Sequence, residues 1–147
     1  RDIDWPIIIM LAAMIPIGTA LQTTGLSDLI SSNISLLAAD MSLFWLLFLI
    51  LIITMATTDI INNAATAVIM APISAGIGLE LGYAIEPFLM VVAVGASCAF
   101  LTPIGHQCNT VVMGPGNYKF TDYWRLGLPL DILIIAVSIP MILFVWT

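Results

Sequence analysis

Basic side chains are almost missing from these 147 residues, which hold three Lys and Arg together against nine Asp and Glu and a single His. No stretch interleaves Lys or Arg with aromatics, so the electrostatic footprint of a nucleic-acid partner is absent. Charged residues of either sign make up only 8% of the chain, against roughly 25% in a soluble domain. Cysteine is scarce too. Cys98 and Cys108 lie in or beside apolar runs with no CxxC spacing, which argues against a disulfide scaffold or a thiolate metal motif and reads as two buried thiols. The chain opens on Arg1 with neither an initiator Met nor the order of a signal peptide, and reads as an excised portion of a longer protein.

What fills the chain instead is oil. Hydrophobic residues reach 61% and the mean hydropathy is +1.15, which marks an integral membrane protein or a piece of one. A helix needs about 20 apolar residues to cross a hydrocarbon core of about 30 Å, so the length allows at most about six spans. The net charge of −6 matters less here than where the few Lys and Arg fall.

Residues 5–22 read as a first span, with Trp5 at its start and a bend near Pro16. The polar stretch from Gln22 to Asp40 reads as a loop carrying a short interfacial helix over 26–37. Residues 42–57 and 63–79 are two apolar arms around a polar knot, Thr57 to Thr66. An arm of about 16 residues reaches only about 24 Å, so the pair is either two short spans or a re-entrant hairpin. The hairpin is preferred, because a short cytoplasmic loop attracts Lys or Arg and this tip has neither. Residues 87–101 and 106–114 read as the halves of a broken helix around a second knot, Thr102 to Asn109, with Pro103 and Gly105 inside it. Residues 124–146 form the last span, with Pro140 as a kink. With Arg1 cytoplasmic, the 115–125 loop carrying Lys119 and Arg125 is cytoplasmic as well, and the C-terminus lies outside a bacterial-type plasma membrane.

The two knots together suggest one site. Asn62 and Asn63 sit where the second arm needs an N-cap. The exposed N–H groups of that helix attract an anion, and the free carbonyls ending the first arm attract a cation. No Lys or Arg lies in any expected membrane interior, so an anion there rests on amides, backbone dipoles and a co-bound cation. Asp59 is read as the one acid well inside the apolar region and as a candidate coupling acid, with capping of the tip as the bland alternative. Asn62–Asn63 also fits an ordinary helix cap, and His106 alone fits a satisfied interior histidine.

Thr58-Asp59-Ile60-Ile61-Asn62-Asn63-Ala64-Ala65-Thr66, followed by Ala71-Pro72, resembles the hairpin-tip motif of the divalent anion:sodium symporter family, which usually reads Thr-Glu-x-x-Ser-Asn-Thr-Ala-Thr. Ser97 to Phe100, Pro103 to Asn109 and Gly114 resemble that family's second unwound segment. The resemblance covers essentially the whole chain and implies an all-α integral membrane fold: the C-terminal member of two inverted repeats of an ion-transporter fold, with spans, a re-entrant helical hairpin and a broken helix. It implies substrate contacts at Asn62, Asn63, Ala64, His106 and Asn109, and Na⁺ contacts at Thr58, Ile61, Asn63, Gly105 and Gln107. Na⁺ is then the coupling ion and the only metal, with no organic cofactor. The implied partners are the lipid bilayer, the N-terminal half of the same permease, a small anion and a second copy in a homodimer.

The sequence departs from the dicarboxylate carriers at Ala64, where a hydroxyl is lost, and at His106-Gln107-Cys108, where they have Thr-Pro-Pro. Gly105 to Asn109 with Gly114 to Phe120 is more similar to the family's sulfate-type permeases. The expected activity is Na⁺-coupled symport of a small divalent anion, sulfate before a dicarboxylate or citrate, and not an enzymatic one. Three rivals stay open: a proton-coupled or arsenite-type carrier using Asp59 and His106, an intramembrane enzyme built on Asp59, His106 and Cys108, and a membrane scaffold that transports nothing.

Overall fold

The computed structural model describes residues 8, 9, 12, 13, 16, 19, 20, 23–38 and 40–146. The span expected over 5–22 lies mostly outside them. The described residues form helices and connecting turns with no strand. In chain order the helices are α1 (Leu26–Ala38), α2 (Leu43–Thr58), α3 (Asn63–Glu80), α4 (Glu86–Ala96), α5 (Gln107–Met113) and α6 (Asp122–Trp146).

Helix α2 is an unbroken apolar run with no Gly or Pro to interrupt it. It turns at Asp59 and gives way to α3, in which Pro72 lies inside the helix. Helix α4 carries Pro87 in its first turn, where a missing N–H costs nothing. The arms α2 and α3 each lie against α4 more extensively than against each other, and α6 packs on α4 and α2. The core therefore gathers around α4: Phe88, Val91 and Val92 meet Leu46, Leu47 and Leu51 of α2, Ile77 of α3, and Ile139 and Ile142 of α6. Phe88 is completely buried beside the ring of Tyr83, and Ser74 of α3 donates to its carbonyl at 3.1 Å.

Among the described residues, α6 is the helix long and apolar enough to cross a membrane. Its outward side exposes Leu126, Leu133, Val137, Met141 and Phe144, the surface that a lipid environment accepts.

Helix α1 inverts the polarity of a helix in a water-soluble protein. Ser27, Ser31 and Ser35, one turn apart, are buried, whereas Leu29, Leu36 and Leu37 are exposed. The serine face packs against α3, and Ser35 Oγ donates to the carboxylate of Glu80 at that helix's end. Small hydroxyl residues let helices approach closely and bond across an interface where lipid is as apolar as leucine.

The first half of the expected broken helix is shorter than its apolar pattern suggests. Helix α4 stops at Ala96 rather than running to residue 101, because the backbone beyond it is bonded elsewhere, as described below.

Phe88→Ala should lower the stability of the full-length protein by about 3–5 kcal/mol, the usual cost of emptying a fully buried aromatic position. A drop in the thermal unfolding midpoint of the detergent-solubilised protein checks this.

Candidate functional site

The hairpin tip is built by side chains returning to their own backbone. Thr57 Oγ1 donates to Ile53 O at 2.7 Å, and the N–H groups of Ile60 and Ile61 turn back onto Thr57 O. Asn62 then takes an extended conformation as the N-cap of α3, its Oδ1 accepting from Ala65 N at 2.8 Å. Asn63 is the first helical residue. Its Oδ1 lies 2.9 Å from Thr58 Oγ1, which is also 2.9 Å from Ala96 O at the end of α4. Thr58 has one proton for two acceptors, so Asn63 Oδ1 keeps acceptor capacity. The Asn63 amide protons have no protein partner among the described residues.

The second interruption is tied to the first through Asp59. Ser97 Oγ and Cys98 Sγ donate back to Ala93 O and Val94 O, occupying carbonyls of the last turn of α4. Leu101 N then donates to Asp59 Oδ1 at 3.1 Å instead of to a carbonyl within a helix, and Thr102 Oγ1 donates to Asp59 O at 2.7 Å. Thr102 Oγ1 in turn accepts from Gly105 N at 3.0 Å. Thr102 precedes a proline, a position that disfavours helical backbone. Asn109 folds the loop from its far side, its Nδ2 donating to Ala99 O at 2.8 Å and Thr102 O at 3.1 Å. Tyr123 Oη donates to Asn109 O at 2.7 Å and so joins the start of α6 to this frame.

Two glycines make the contact possible. A Cβ on Gly105 would lie 3.0 Å from Thr58 O and 2.8 Å from Ala99 Cβ, and one on Gly127 of α6 would lie 2.5 Å from Phe100 O.

Between tip and break lies a cavity of about 420 Å³ lined by Asn63, Ser97, Ala99, Phe100, His106, Cys108 and Asn109. His106 caps α5, its Nδ1 accepting from Cys108 N at 3.2 Å, so the proton of the neutral ring sits on Nε2. The bond goes to the backbone rather than to a thiol or to Asp59.

The structure thus gathers Asn63, His106 and Asn109 on one cavity and brings Thr58 and Gly105 into contact beside it. Asn62 is committed to capping, and both amide protons of Asn109 are committed to the loop. Ala64 is half-buried, while Ile61 and Gln107 are exposed; none of the three lines the cavity.

Two sequence expectations need correction. Cys108 is exposed rather than buried, because it sits in the first turn of a short helix at the cavity rim. Asp59 is not the one acid inside the apolar region, since Asp131 is buried in α6. An acid inside the cleanest apolar run was the available signal for Asp131. Thr102 and Tyr123 were also passed over; a hydroxyl beside Pro103 hinted at the first, but nothing local pointed to the second.

Backbone carbonyls and an asparagine oxygen are hard donors suited to Na⁺, and Gly105 leaves Thr58 O open where a Cβ would crowd it.

An apolar all-helical chain whose polar groups gather at two facing interruptions has the build of a membrane transporter. The family model for the sodium:sulfate symporter transmembrane region matches residues 1–147, and the chain belongs to that family of membrane proteins. It is 39% identical over 142 residues to the uncharacterised transporter YfbS of Escherichia coli, covering 97% of this chain and 23% of that protein. It is 28% identical over 139 residues to sodium/sulfate cotransporter 2 of Chlamydomonas reinhardtii, covering 94% of this chain and 16% of that one. To the sodium-dependent dicarboxylate transporter SdcS of Staphylococcus saprophyticus it is 25% identical over 146 residues, 98% of this chain and 28% of that protein. The chain therefore spans less than a third of the length of these relatives.

Thr102→Ser keeps both hydrogen bonds of the hydroxyl and should leave the thermal midpoint near that of the wild type. Thr102→Val leaves Asp59 O and Gly105 N unpaired and should cost about 1–3 kcal/mol. Paired unfolding measurements on the two variants make the comparison.

Proposed function

We propose that the full-length protein is a Na⁺-coupled symporter of a small divalent anion, sulfate first, with this chain as the C-terminal of two inverted repeats. The cavity between Asn63 and His106 carries this reading: it offers amide protons and an imidazole Nε2–H to oxyanion oxygens, and no Lys or Arg lines it. Helix α3 adds N-terminal N–H groups and a positive dipole end at Asn63. Na⁺ takes the carbonyl side of the tip, on Thr58, Ile61 and Gly105 with the amide oxygen of Asn63. Gln107, also implied by the family resemblance, belongs to that set as well.

The coupling is physical. Asn63 bonds Thr58 through its oxygen and lines the cavity, so a cation on the oxygen side would orient the amide protons that the anion needs. The arms α2 and α3 act as a re-entrant hairpin and move with α4 against a scaffold supplied mostly by the other repeat, within a homodimer.

A dicarboxylate such as succinate is the second reading, supported by the relative named as a dicarboxylate transporter. His106 stands where the dicarboxylate carriers have a substrate-contacting Thr, which favours sulfate.

Uptake of labelled sulfate and succinate by the full-length protein, with and without Na⁺, tests the proposal. Sulfate uptake should require Na⁺. Asn63→Ala removes hydrogen bonds to charged ligands worth about 1.5–3 kcal/mol and should lower uptake at least about tenfold. Na⁺-independent uptake, or an unaffected Asn63→Ala protein, would contradict the site.

A further inference from the structure

Two carboxylates in this chain are left with work undone. Asp59 is 5% exposed and Asp131 is 7% exposed, and each keeps one buried oxygen without a hydrogen-bond partner, Asp59 Oδ2 and Asp131 Oδ1. Asp59 lies just past the end of α2 and Asp131 in the third turn of α6, two helices that pack on each other and on α4. Gly127, one turn before Asp131 on the same face of α6, sits against the Asp59 contact: a Cβ there would lie 3.2 Å from Leu101 N, the group that donates to Asp59 Oδ1. The basic residue nearest to Asp131 in sequence is Arg125, almost two helical turns away and exposed.

A single buried carboxylate in an apolar surround is costly, and a second one nearby adds repulsion that little water is present to screen. Such a pair persists when a cation sits between the oxygens. Asp59 also separates this place from the carbonyl side of the tip. Its Oδ1 is held by Leu101 N and its backbone oxygen by Thr102, while Oδ2 is the atom left over. Two carboxylate oxygens with no imidazole and no thiolate suit a hard alkali cation rather than a transition metal.

We propose that Asp59 Oδ2 and Asp131 Oδ1 together hold one Na⁺ between the hairpin tip and the last helix, a site additional to the carbonyl site at Thr58 and Asn63. The inference rests on the Na⁺-coupled reading above and deepens it. An ion here cancels the repulsion that otherwise pushes the tip from α6, so its binding clamps Asp59, and through Leu101 and Thr102 the whole unwound segment, against that helix. Its departure frees them together. Each transport cycle then carries one more positive charge than the carbonyl site supplies.

The test uses the full-length protein in proteoliposomes, comparing the wild type with Asp131→Asn. The Na⁺-to-anion ratio is read from reversal potentials, and the number of bound ions from labelled Na⁺ at equilibrium. Asp131→Asn should lose one bound Na⁺ and transport with one Na⁺ fewer per anion. An unchanged ratio and unchanged Na⁺ binding overturn the site, as does a ratio that responds in the wild type to a pH gradient, which assigns the place to a proton. Should Asp131→Asn not be recovered folded, Asp131→Ser, with room for a water, replaces it; failure of both gives Asp131 a folding role and overturns the proposal. Wild-type uptake with no need of Na⁺ is a different result and refutes the coupled symporter itself.

Discussion

The contact between Asp59 and the unwound backbone beyond α4 is the one on which the rest of this structure depends. Irregular backbone shielded from water survives only where protein supplies its missing partners. Here one residue does much of that. Its carboxylate receives Leu101 N, and its carbonyl receives the Thr102 hydroxyl, which itself receives Gly105 N. The hairpin tip and the helix break stabilise each other, and neither has a comparable set of partners alone. The close approach also explains the size limit at Gly105, where even a methyl group would press on Thr58 O.

Around that contact, α4 serves as the shared wall. Both hairpin arms and α6 pack on it, and its last carbonyl, Ala96 O, accepts from the same Thr58 hydroxyl that lies beside Asn63. A shift of α4 is therefore felt at the tip through one side chain. Lipid supplies little drive to bring helices together, so the packing leans on small and hydroxyl residues: the serines of α1 against α3, Ser74 against Phe88 O, and Gly127 against Phe100.

The scarcity of basic residues shapes the chemistry of the cavity. An anion held by Lys or Arg would be bound strongly whether or not Na⁺ were present; one held by amide protons, an imidazole N–H and a helix end needs help from a cation nearby. In the proposed site, weak neutral donors beside a cation are a physical route to obligatory coupling, and Asn63, which lines the cavity and bonds Thr58, is the residue both would share. Burying acids without basic partners, as at Asp59 and Asp131, is the same economy seen from the other side.

Composition alone established a membrane protein, because no soluble fold buries so much oil, and the two polar interruptions were legible as breaks in runs that otherwise have none. Their motif also pointed to the family, and the N-cap at Asn62 followed from local residue chemistry. Three things were decided only in the folded chain. Helix α4 ends at Ala96 because Leu101 N is claimed by an acid 42 residues earlier, a bond that no local pattern encodes. Asn109 lines the cavity and gives both amide protons to Ala99 and Thr102, a pairing set by which carbonyls the loop brings within reach. Asp131 drew no reading in the sequence, and only packing sets its face of α6, through Gly127, against the Leu101 N–H that Asp59 holds. Periodicity and residue type report what a segment buries; which groups share a buried space is settled by long-range packing, and in this protein that sharing makes the site.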